Sequence, residues 1–87
     1  MWIRSQDKKT LVDASCFEID EYCEGCEPEG NVIYRLLGGF NINQHCWLLG
    51  AYSTEEKALK VLDKIEEWIR YECCGVFQMP ADDAVEV

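Results

Sequence analysis

One Cys-x-x-Cys spacing, Cys23-Glu24-Gly25-Cys26, is the first place in the sequence where residue types and separation suggest chemistry. Two thiolates offered from one turn make half of a tetrahedral zinc site. The other half would have to come from Cys73 and Cys74, or from His45 and Cys46. Both are weak second knuckles, because vicinal cysteines rarely turn two sulfurs toward one metal and the usual pair is separated by two residues. The competing assignment makes Cys16 and Cys46 small buried apolar side chains and leaves the other thiols unliganded. Redox catalysis by Cys23 and Cys26 is disfavoured. It needs a helix N-terminus or a nearby cation to lower a thiol pKa, whereas Glu21, Glu24, Glu27 and Glu29 flank this pair and act in the opposite direction.

The same stretch carries six acids, Glu18, Asp20, Glu21, Glu24, Glu27 and Glu29, and no basic residue. Their spacing does not supply the alternating oxygen ligands and closing glutamate of a calcium loop. They read as a solvated acidic tip, whose functional use would be contact with a basic protein surface, with Trp2 and Tyr22 as candidate aromatic anchors. His45, the one histidine, precedes Cys46, and strand neighbours face opposite ways, so a Cys–His nucleophile pair is not supported. Gly38-Gly39 lacks the lysine and helix start of a phosphate loop. The chain is therefore expected to be a non-enzyme with no catalytic residues and no cofactor, zinc on Cys23, Cys26, Cys73 and Cys74 being the alternative.

Net charge sharpens that expectation. With 17 acidic and 8 basic residues the chain carries −9, which repels phosphate backbones and argues against direct DNA or RNA binding. The excess serves solubility, a bound cation, or a phosphate-like surface offered to a basic partner. Hydrophobic residues make up 48% of the 87, enough for one thin-cored domain. No apolar run approaches the roughly 18 residues of a membrane span. The opening Met1-Trp2-Ile3-Arg4-Ser5-Gln6-Asp7 lacks the basic start and apolar stretch of a signal peptide, so a cytoplasmic location is expected, with the six cysteines read as reduced thiols or a metal site and not as a disulfide framework.

The elements that must position these residues follow from periodicity. Residues 1–6 alternate as a strand, Trp2 and Arg4 on one side, Ile3 and Ser5 on the other. Thr10 to Asp20 is rich in strand formers but its alternation slips, and a bulge near Asp13–Ser15 would reconcile its halves. Residues 20–31 read as a loop, Val32 to Leu37 as a strand broken by Gly38-Gly39, and Cys46 to Tyr52 as another. Ser53-Thr54-Glu55-Glu56 fits a capping box with Ser53 as N-cap. Ala58, Leu59, Val61, Leu62, Ile65, Trp68 and Ile69 then form one helical stripe, with Gly75 as its stop. Val76 to Met79 adds a closing strand. The order predicts an α+β fold, β-β-β-β-α-β, in which an antiparallel sheet of four to five strands carries one amphipathic helix on one face and leaves the other partly open. Residues 1–80 form that domain, and 81–87 a flexible acidic tail. Trp47 and Trp68 are expected in the core.

The opening Met1–Asp7 segment, the run Leu49-Gly50-Ala51-Tyr52-Ser53-Thr54-Glu55-Glu56-Lys57-Ala58-Leu59, and the closing Val76-Phe77-Gln78-Met79-Pro80 together resemble small proteins of phages, prophages and conjugative elements in Gram-positive bacteria. These are framework residues and bring no catalytic positions with them. The resemblance implies a bacterial cytoplasm and a setting in which small acidic proteins act by binding, anti-CRISPR proteins and other inhibitors of host defence among them. The leading expectation is a non-enzymatic protein that docks on a host or phage protein, such as the basic nucleic-acid-binding face of a defence nuclease. Its steering charge would come from the 18–29 acids and from Glu55, Asp63, Glu66 and Glu67. The alternatives are an oligomeric sponge for a small nucleotide, using Arg4, Lys8, Lys9 and Arg35, and a zinc-stapled structural module.

Overall fold

Alternation at the start of the chain makes a short strand, β1 (Trp2–Arg4), that buries Ile3 and the following Ser5 while Trp2 and Arg4 stay exposed. A tight turn then reverses the chain. The Ser5 hydroxyl donates to the Asp7 carboxylate, which also accepts from the Lys9 amide at 2.9 Å, and Lys8 takes the left-handed conformation at φ 70°. This places β2 (Leu11–Asp13) antiparallel to β1, with Val12 opposite Ile3. The structure is a computed structural model that describes residues 1–24, 31–40 and 46–86.

The slip in alternation after Asp13 marks a change of sheet, not the expected bulge. Ala14 still donates to the Met1 carbonyl at 2.8 Å, whereas Ser15 donates to Gly39 at 2.9 Å, so the chain crosses between the two residues. It continues as β3 (Cys16–Glu24), which pairs antiparallel with β4 (Asn31–Gly39), and β4 pairs in turn with β5 (Cys46–Tyr52). Two expectations are corrected here. Residues 20–24 are strand and not loop, since charged residues suit a hairpin that is solvated on its faces. Gly38-Gly39 stays in the ladder opposite Phe17 and Cys16. Glycine is required at 38 by a close approach: a Cβ there would lie 2.7 Å from Leu49 Cδ1 and 3.1 Å from the Phe17 ring. The bulge lies at Leu36/Leu37, where Leu49 is the extra residue on β5.

Helix α1 (Glu55–Arg70) begins one residue later than the capping box suggests: Thr54 is the N-cap, its hydroxyl accepting from the Lys57 amide at 3.2 Å. Ser53 instead donates through its amide, at 2.8 Å, and its hydroxyl, at 3.1 Å, to Asp82. The helix ends before Gly75. The Cys73 amide donates to Trp68 and the Glu72 amide to Ile69, at 3.0 and 3.1 Å, a Schellman closure whose left-handed residue is Glu72 at φ 50°.

After the helix, β6 (Phe77–Gln78) runs parallel to β1, so the strands divide into two three-stranded sheets, β2-β1-β6 and β3-β4-β5, where one sheet was expected. Gln6 joins them: its amide donates to Leu49, and its side chain both donates to and accepts from the Ala51 backbone. The core fills the space between the sheets and α1 with Ile3, Val12, Leu36, Leu49, Tyr52, Ala58, Val61, Ile65, Phe77 and Met79. Trp47 and Trp68 pack against it half-buried, and the α+β reading with one helix on one face holds. The far face of β3-β4-β5 is open, with Leu48 50% exposed. The segment expected to be a loose tail folds back: Asp82–Ala84 forms one 3-10 turn and Val85 is buried. No helix among the described residues is long and apolar enough to cross a membrane.

Candidate interaction surface

The stripe of α1 is wider than the sheet beneath it. Ala58, Val61 and Ile65 are buried, Leu62 and Trp68 half-buried, and Leu59 and Ile69 exposed. That surplus leaves an open groove of about 460 Å3 between the C-terminal half of α1 and the start of β3. Phe17, Leu62, Ile65 and Ile69 form its apolar lining, and Asp63, Glu66 and Arg70 its charged rim, where Arg70 donates to Glu66 at 3.0 Å. Arg70 is thereby neutralised, and the rim is net acidic.

A second hollow, of about 320 Å3, opens on the other side of Ile69. Met1 and Trp2 bound it on one side, Trp68, Ile69, Glu72 and Cys73 on the other. Trp68 is held by an edge-on contact with Phe77, ring centres 5.4 Å apart at 83°, which fixes the hollow's wall. Trp2 is half exposed and Tyr71 is 72% exposed. Ile69 thus joins two openings into one apolar and aromatic surface around the end of the helix.

Of the residues singled out in the sequence, Trp2 lies on this surface. The acids do not gather into one face. The pleat of β3 puts Glu18, Asp20 and Tyr22 on one side and Glu21 on the other. Arg35, opposite Asp20 on β4, donates to it at 2.9 and 2.7 Å, and this guanidinium holds the Asp20 carboxyl below the ordinary carboxylate range. The same guanidinium lies 4.7 Å over the Tyr22 ring, so Tyr22 is already capped on one face. Glu18 and Glu21 are exposed. Glu24 ends the strand, while Glu27 and Glu29 lie outside the described residues.

Among the described residues the metal set is not brought together. Cys23 stands seven residues along β3 from Cys16, roughly 23 Å at strand rise. Cys73 and Cys74 follow the end of α1 that lies beside Cys16, and Cys26 lies outside the described residues. Among the described residues no three His, Cys, Asp or Glu side chains converge. Three of the four basic residues of the nucleotide reading make side-chain bonds within the fold: besides Arg35, Arg4 Nε donates to the Lys8 carbonyl at 3.1 Å and Lys8 Nζ to Gln78 at 3.3 Å. What sequence reasoning missed is Ile69, Leu62 and Tyr71 as a surface, although a seven-residue stripe on a 16-residue helix was the signal. No family model, curated protein or solved structure matches the chain.

Proposed function

We propose that this chain is a non-enzymatic binding protein that docks a basic protein partner on the surface around the end of α1. One observation carries the reading: Ile69 joins two apolar openings into a continuous surface with an acidic rim, on a chain of net charge −9. Apolar area of this kind, edged by charge, is what a soluble domain keeps for a partner. Trp2 and Ile69 supply the anchors, while Asp63, Glu18 and Glu21 steer and select a positive face. In the bacterial mobile-element setting that the resemblance implies, the nucleic-acid-binding face of a host defence protein is the partner class that fits, and occupying it would inhibit that protein.

Affinity capture from bacterial lysate with the wild type and with Ile69→Asp, at low and high salt, tests this. A partner held at stoichiometric level by the wild type, released by Ile69→Asp and weakened by salt, is the expected result. Capture indifferent to both changes overturns it. Thermal melts of the variant establish that it remains folded.

A further inference from the structure

We propose that the partner is bound as an added strand, an extended basic segment lying along the edge of β3 that no described strand pairs, with alternate apolar side chains in the groove beside α1. This deepens the reading above and rests on it. In the sheet order β3-β4-β5, β3 is an edge, and its nine residues offer a ladder of about 30 Å along one side. The larger groove meets β3 at that edge. Ser15, Cys16 and Phe17 are consecutive and all line it, as expected of an opening that wraps the strand's border and not of one confined to a single face. Across the gap stand Leu62, Ile65 and Ile69 of α1. An edge strand facing a helix across an apolar slot is the arrangement by which an extended peptide is taken up: main-chain hydrogen bonds supply affinity and every second side chain supplies selectivity.

Charge chooses the occupant. The helix wall presents Asp63 beyond the Glu66–Arg70 pair, and β3 itself presents exposed Glu18 on the far face and Glu21 on the slot side. A second copy of this chain is the poorer fit, because antiparallel self-pairing centred on Ile19 sets Glu18 against Asp20 in each half, and like charges opposite one another weaken a ladder. A segment alternating lysine or arginine with aliphatic residues seats its aliphatic side in the slot and turns its charges to the far face of the sheet, where Glu18 is exposed.

The probe is a capped Lys-Val-Lys-Val-Lys-Val-Lys peptide titrated into the full chain, followed by amide hydrogen exchange, with an analogue N-methylated on alternate residues as the control. The expected result is binding that slows exchange across Cys16–Glu24 at least tenfold, lost at least tenfold by N-methylation on one register and weakened likewise by Ile69→Asp. Equal binding by both N-methylated registers, protection confined to α1 and Trp2, absence of peptide binding, or a self-dimer protected along β3 overturns strand addition. The first two leave the docking surface standing, and its own failure is read separately from the lysate capture.

Discussion

Arg35 sits directly opposite Asp20 across the β3–β4 ladder and closes on both carboxylate oxygens, Nε to Oδ1 at 2.9 Å and Nη2 to Oδ2 at 2.7 Å. The hairpin that looked uniformly acidic in sequence therefore carries its own counter-charge at mid-strand, and among its described side chains the negative character is left to Glu18 and Glu21.

This pair sets a pH dependence. Hydrogen bonds from Arg35 hold Asp20 below 3.8 in the folded state, the Ser53 amide and hydroxyl do the same for Asp82, and the Ser5 hydroxyl and Lys9 amide for Asp7. As pH falls, the unfolded chain takes up these protons first. The stabilisation is thus whole at neutral pH and is lost as pH drops through about 4 toward the folded-state values. Arg35→Met should lower the thermal midpoint at pH 7, by a margin that shrinks below pH 4. A margin equal at both pH values would assign the loss to packing on Tyr22 and not to charge.

At the start of α1, Thr54 and Ser53 hold different jobs. Thr54→Ala removes the acceptor for the Lys57 amide and should cost about 1 kcal/mol in urea unfolding, as N-cap losses do. Ser53→Ala leaves the Ser53 amide on Asp82 and should cost less. The reverse order would restore Ser53 as the cap.

Glu72 closes the helix from the left-handed region, where a side chain is strained. Glu72→Gly should raise stability by roughly 0.5–1 kcal/mol, because relief of that strain exceeds the glycine's added chain entropy. A lower denaturation midpoint for the variant counts against this account of the cap.

Gly38 faces the opposite constraint. A methyl group there meets Leu49 Cδ1 at 2.7 Å inside the core, and Gly38→Ala should destabilise by about 1–3 kcal/mol. Adding Leu49→Ala should recover part of that loss in a double-mutant cycle; strict additivity would place the clash elsewhere.

Much of this architecture is written in local pattern. The Ile3/Ser5 alternation, the bounds of β5 and the three- and four-residue stripe of α1 each follow from periodicity alone, because each has one face in the core. Other features are invisible locally. A slipped alternation looks the same whether a strand bulges or changes sheet, and only the separate bonding of Ala14 and Ser15 to Met1 and Gly39 distinguishes them. Polar residues 20–24 resemble a loop because a two-stranded extension has little to bury. Val85 gives no periodic signal at all, yet it fills the core once Asp82 is drawn to Ser53. The candidate surface follows the same division: Trp2 was legible as an exposed aromatic, whereas the groove at Ile69 depends on how far the sheet extends beneath the helix.

The parallel pairing of β1 with β6 brings Ile3 beside Phe77, nearly the whole chain apart. Closing so long a loop comes late in folding, since its entropy must be met before the contact rewards it. On the ribosome, β1 and β2 would emerge as a ribbon with one unprotected greasy side and wait there until β6 arrived. β1 and β2, made well before β6, are thus among the last elements to become native, and the time between is when a chaperone or an aggregate would reach this protein.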